Sequence, residues 1–303
     1  MAAIALLPIS VGAVVTTVEA GMAFADWPSS DGHGMLFYPW LKSSGDKFLE
    51  HGHRLAGMLI GIVSLCFTGW AFAIDRRPAI RWLAVLVLMG VIVQGVIGGI
   101  RVRQNNDVWA LIHGQTAAWV FIAICLTALS AGNESSEISD PVRPNLGLLT
   151  MSVIAFSAMI VQYLLGGRLR HLGSSDAWLV HPWFAAVVVA AVLGVSVFAA
   201  RQELPRLQTT CQIALWMVFA QAALGLLTWG AKYGYPQWDI LAERLSPAQV
   251  ALSSLHKVIG LMTFAAVGVM FAQVTAGRCR RSFAMNHDAA TLTLSLPATG
   301  GVA

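Results

Sequence analysis

Eight apolar stretches of about bilayer-crossing length constrain this chain more than any other feature. A helix spanning the hydrocarbon core needs about 20 mostly apolar residues. Runs of that kind lie near 3–24, 52–74, 80–100, 108–131, 146–166, 177–200, 208–229 and 250–275. Only 11% of the residues are charged, against about 25% in soluble domains. The expectation is an all-α integral membrane protein with eight transmembrane helices. The net charge of +4 is gathered into no basic stripe. Nucleic acid is therefore excluded as a partner, and the excess belongs to charges flanking the lipid.

The first run has no basic segment before it and is expected to be retained rather than cleaved. An even number of spans puts both termini on one side. Arg278, Arg280 and Arg281 in the tail, with Arg76, Arg77 and Arg81 between the second and third runs, assign that side to the cytoplasm. This reading makes the chain a multi-pass protein of the cell's inner (plasma) membrane. The opposite face nevertheless holds Lys42, Lys47, Arg101, Arg103, Arg168, Arg170, Lys232 and Arg244. Arginines on that face need a reason to be there.

Residues 132–145 are polar and carry two prolines, which reads as a cytoplasmic linker. They separate an N-terminal half, 1–131, from a C-terminal half, 146–277. The tail, 278–303, is basic and then small and polar, and is expected not to fold from about 282. An internal repeat supports the division: VIVQGVIGGIRVR at 91–103 matches MIVQYLLGGRLRH at 159–171. Gln94 and Gln162 are as far apart as His113 and His181 (181 − 113 = 68). A third copy, QAALGLLTWG, begins at Gln221, with Gly225 placed as Gly98 is after Gln94. Two pseudo-symmetric four-helix bundles follow, with the site expected where repeats meet.

His53, His113, His181 and His256 each fall within the first turns of an even-numbered span. These spans run in one direction, so the four imidazoles share a depth near the outer face. Ionisable groups in a membrane are costly and default to functional roles. Paired imidazoles from facing helices suit haem iron, giving His53 with His113 and His181 with His256. No cysteine or carboxylate recurs beside each histidine, which disfavours zinc or copper. Cys66, Cys125, Cys211 and Cys279 form no CxxC and read as small apolar fillers. His33 and His287 read as solvated bystanders. His51 points to another helix face than His53. Trp109, Trp178 and Trp183 read as interfacial belt or core.

Gly98-Gly99 and Gly166-Gly167 offer backbone that a flat ring can approach closely. Arg101 and Arg103 follow the first pair, and Arg168 and Arg170 the second. Guanidinium groups bind carboxylates in bidentate fashion, so these arginines are candidates for haem propionates. Arg54 joins them. The halves differ at one position. Glu50 stands three residues before His53, where the other repeats have Ala110, Trp178 and Ser253. A carboxylate beside a haem can move protons or orient water. It can also form an i,i+4 pair with Arg54 at the helix end.

These residues resemble the haem A synthase family: Glu50-x-x-His53-Arg54, QGVIGG before His113, QYLLGG before His181, and QAALG before LSSLHKVIG with His256. The resemblance covers about residues 5–275. It implies that His181 and His256 hold haem b as a cofactor, and that His53 and His113 face the substrate haem O, with Glu50 as the catalytic carboxylate. The implied activity is oxidation of a ring methyl through an alcohol to a formyl, making haem A for cytochrome oxidase. The oxygen comes from water and the electrons leave to an acceptor left open. A haem O synthase is an implied partner, and a homo-oligomer is left open. The first outer loop holds no cysteine, unlike relatives that carry a pair there, so a disulfide relay in that loop is excluded. Two other functions compete: a di-haem cytochrome passing electrons from a quinol, and a haem transporter or chaperone. The single-sided Glu50 favours the enzyme.

Overall fold

The computed structural model describes residues 1–132, 146–202, 205–235, 237, 239 and 241–294, with side chains up to 276. Among these residues eight α-helices follow one another: α1 Ala2–Thr17, α2 Gly45–Ala73, α3 Pro78–Gln104, α4 Asp107–Ala131, α5 Leu146–Leu172, α6 Ser175–Ala200, α7 Pro205–Tyr233 and α8 Pro247–Leu294. A single 3-10 turn, Trp40–Lys42, interrupts the α1–α2 loop, 18–44, called the outer loop after its expected side. Among the described residues there is no strand, only an isolated bridge between Ser30 and His33. In lipid every backbone polar group must bond internally, which selects helices.

Among the described residues seven helices, α2 to α8, are long and apolar enough to cross a membrane. The expected first span is the exception. α1 has 16 residues, a length of about 24 Å against a hydrocarbon core of about 30 Å. The apolar run continues past Thr17, but Glu19 adopts φ 63° and its carboxylate pairs with Arg244 at 3.0 Å. Thr16 and Thr17 turn their hydroxyls back onto the carbonyls of Gly12 and Ala13. At the other end α8 continues to Leu294, through a stretch expected to be unfolded. Residues 282–294 contain no proline or glycine to stop it. The proposed linker, apart from Gly132, and residues 295–303 lie outside the described residues.

Connections explain the hairpins. Asn105, at φ 44°, ends α3, and the Asn106 side chain caps α4 by accepting from the N–H of Val108 (2.8 Å) and of Trp109. Pro78 opens α3, where its missing N–H costs nothing. Before it, the Asp75 carboxylate accepts from Arg77 at 2.7 Å, and this pairing lowers its pKa to about 2. Each helix packs on the next along the chain, α4 on α5 included. α8 is the central post: it packs on α1, α4, α5 and α7. Half of its apolar window is buried, against 17–28% in the other six spans. Leu261, Phe264, Val267 and Met270 of α8 are fully enclosed. Trp82, Trp183 and Trp216, in contrast, project outward from α3, α6 and α7, as lipid-facing side chains do.

Candidate functional site

The four histidines are held by one device repeated four times. Each sits on an even-numbered helix, with its ring against a glycine on the preceding helix. A Cβ built on Gly12 would come within 2.7 Å of His53 Cε1. The same distance is 3.3 Å for Gly98 and His113, 3.0 Å for Gly166 and His181, and 3.2 Å for Gly225 and His256. Any larger residue would displace the ring. Gly98 and Gly166 thus receive a protein imidazole, not the flat face expected from sequence. Gly99 and Gly167 receive Trp27 and Gln115.

The residue four positions before each glycine completes the device. Gln94, Gln162 and Gln221 donate their side-chain amides to the carbonyls of His113, His181 and His256 at 3.0, 3.0 and 2.9 Å. Thr116 in turn donates to Gln94 Oε1. In α1 the equivalent residue is Pro8, which has no amide to give. Its carbonyl lies 3.1 Å from His53 Nδ1, so Nδ1 carries the proton and Nε2 keeps its lone pair. The unrecognised first repeat is therefore Pro8 with Gly12. The glutamine that marks the other copies is missing, which hid it in the sequence.

The expected ring pairs form. The His53 and His113 rings are 6.3 Å apart at 84°, and the His181 and His256 rings 6.4 Å apart at 89°. Two metal–nitrogen bonds of about 2 Å, plus two ring radii, would place ring centres roughly 6 Å apart. Nδ1 of His113 and of His181 is buried without a hydrogen-bond partner. Among the described residues no three His, Cys, Asp or Glu side chains gather as a metal cluster. Two imidazoles facing across a gap fit a metal already held in a macrocycle better than a bare ion.

A cavity of about 470 Å³ opens at the first pair, within the size range of ligand pockets. His53, His113, Glu50, Arg54 and Arg101 line it, with Trp27 reaching in from the outer loop. Glu50, 3% exposed, is firmly tied. Its Oε2 accepts from the N–H of Ala23 (2.6 Å) and Phe24 (3.2 Å), and its Oε1 pairs with Arg54 at 2.7 Å. Arg54 also donates to the carbonyls of Asp26 and Ser29. His51 turns to another face, as expected, where its Nδ1 lies 3.0 Å from Ser30 Oγ. The first turns of α2 thus hold the outer loop over the cavity. Within that loop, burial raises the Asp26 pKa. The N–H of Gly32, the Ser29 hydroxyl and the N–H of Asp31 outweigh it and bring the pKa to about 2.

The arginines separate. Arg54 and Arg101 line the cavity. Arg103 is exposed, and Arg168 pairs with Asp176 at 2.9 Å. Arg170 belongs to the C-terminal half but lines the first cavity. The 68-residue offset aligns it with Val102, and Leu169 with Arg101. One position is about 100° around a helix. His171 and Lys257, missed by sequence reasoning, line the same cavity. Lys257 follows His256 directly, so the two side chains face different halves. His33 is exposed beside the Asp31 carbonyl, and the side chain of His287 lies outside the described ones. Cys66, Cys125 and Cys211 are free thiols.

A helical membrane protein with two facing histidine pairs is the class these features define. Residues 1–179 match the model of the COX15-CtaA family, cytochrome oxidase assembly proteins, and the chain belongs to that family. It is 28% identical over 134 residues to proteins named Heme A synthase from Listeria monocytogenes serotype 4a and Listeria innocua serovar 6a. That match covers 43% of this chain and 42% of each relative. A Heme A synthase from Dinoroseobacter shibae is 29% identical over 136 residues, covering 41% of this chain and 34% of the relative. The match therefore spans less than half the length of these relatives. No solved structure matches.

Proposed function

We propose that the chain is a haem A synthase. The N-terminal pair, His53 and His113, receives haem O, and the C-terminal pair, His181 and His256, holds haem b. The observation that carries this reading is the asymmetry between two otherwise matched pairs. Among the described residues only the first pair has a carboxylate three residues before its leading histidine, and that carboxylate, Glu50, lines a cavity of ligand size. The overall change is ring–CH3 plus water giving ring–CHO, four protons and four electrons. Haem b, when bound, supplies a one-electron relay towards the acceptor.

The protein's own part is to orient and to move protons. Pro8 fixes the His53 tautomer. Glu50 lies on the cavity wall, positioned to accept protons released there. Arg54 and the N–H groups of Ala23 and Phe24 hold that carboxylate in place. Trp27 and the outer loop limit water access. We place the histidine ends of the spans at the outer face of the plasma membrane, with the α2–α3 turn cytoplasmic. The matched ring geometry also suits a di-haem electron carrier; a pure electron carrier has no need of a one-sided cavity carboxylate, although a quinol site can use one.

The test is expression in a host that makes haem O and has lost its own haem A synthase. Extracted haems separated by mass should show haem A or its alcohol precursor. Bound haem b with haem O unchanged would overturn the enzyme in favour of the cytochrome.

A further inference from the structure

We propose that Lys257 and Arg170, both from the C-terminal half, form a carboxylate-binding site for the ligand held by His53 and His113. This rests on the reading that the first cavity takes a haem. The cavity wall holds Arg54, Arg101, Arg170 and Lys257, and among the described residues Glu50 is its only carboxylate. Arg54 already neutralises Glu50. Among the described residues no ion pair involves Arg101, Arg170 or Lys257. Holding three basic side chains charged without an acidic partner within a membrane-spanning bundle is costly. A ligand bringing two or more negative charges removes that cost.

Lys257 is aimed, not loose. Its Nζ donates to Tyr163 Oη at 2.8 Å and lies 4.6 Å from the centre of that ring. Tyr163 Oη donates to the Gly114 carbonyl at 3.3 Å. A Cβ built on Gly114 would lie 3.6 Å from Lys257 Nζ and 3.4 Å from His171 Nε2. Gly114 directly follows His113, so the ammonium reaches the first iron site from across the molecule. Arg170 spends one Nη2 on the Ala13 carbonyl and Thr17 hydroxyl of α1 and keeps other N–H groups for the cavity. Substrate recognition is then shared between halves: the first supplies the imidazoles, the second the anion site. Tyr163 is a positioning residue for Lys257.

The experiment titrates purified full-length protein, its C-terminal site loaded with haem b, with iron protoporphyrin IX and with its dimethyl ester. Native protein should bind the acid about tenfold more tightly than the ester. Lys257→Met should lose that preference by weakening the acid alone, and Lys257→Arg should retain it. Tyr163→Phe, which leaves the charge in place, should weaken the acid a few-fold and leave the ester unchanged. Equal loss of both ligands in Lys257→Met, or no loss of either, overturns the anion site. If Lys257→Met does not fold, the acid–ester ratios of Tyr163→Phe and of native protein decide, and an unchanged ratio in that variant overturns the proposal. If His53→Ala and His113→Ala leave the acid's affinity unchanged, the underlying reading fails instead, and with it the site.

Discussion

The two histidine pairs are near copies in geometry and opposites in surroundings. Ring separations of 6.3 and 6.4 Å and near-perpendicular planes come from the same glycine contacts. The position three residues before the leading histidine separates them. In the first pair it is Glu50, buried and bonded to the outer loop. In the second it is Trp178, packed 4.7 Å from Trp229 and 5.9 Å from Tyr233. One scaffold thus offers a polar, chargeable wall at one site and an aromatic wall at the other. On the proposed function, chemistry belongs with the first and stable retention with the second.

The largest expected effect is on retention. His181→Ala or His256→Ala should remove the stably bound haem b from purified protein, whereas His53→Ala should leave it. An absorption spectrum with extracted haem content checks this, and equal losses from both pairs would erase the distinction. Next come the glycines. Gly166→Ala drives a methyl to 3.0 Å from the His181 ring. Disturbing such supporting contacts weakens metal sites by about 10–100-fold, so haem b affinity should fall on that scale. Gly98→Ala should disturb haem O binding only. Gln162→Leu removes one amide bond to the His181 carbonyl and should cost about 1 kcal/mol, read as a modest drop in melting temperature.

The smallest effect is on the loop. The Asp26 pKa is depressed to about 2, so its contribution is present above the unfolded carboxylate value, about 3.9, and is lost as pH falls from there through 2. Tryptophan fluorescence, with Trp27 and Trp40 in that loop, should report loosening in this window. Asp26→Asn should move the change away from it.

Much of this arrangement was legible in the sequence. Seven spans follow from hydropathy, and the ring pairs from four histidines set in the first turns of the even-numbered spans. What was not legible depended on tertiary placement. The length of α1 depends on Glu19 leaving the helix, which an apolar window averages away. Pro8 and Gly12 were hidden because proline replaces the marker glutamine, so only the ring contact reveals the repeat. Arg170 read with the glycine pair of its own half, and Lys257 carried no signal beyond standing next to His256. Their crossing depends on α8 packing against α1 and α4, which no local pattern encodes. Glu50 stood out by asymmetry, but its grip on the outer loop did not, because Ala23 and Phe24 lie in a loop without periodicity.

The most direct test of the asymmetry is Glu50→Gln, which keeps an oxygen to accept from Ala23 and Phe24 but gives up the charge. It is assayed in the host that makes haem O but no haem A. General acid–base groups contribute about 10²–10⁴-fold, so the variant should retain native haem b and accumulate haem O with little or no haem A. Haem A formation at the native rate by a Glu50→Gln protein would contradict the assignment of chemistry to the first site.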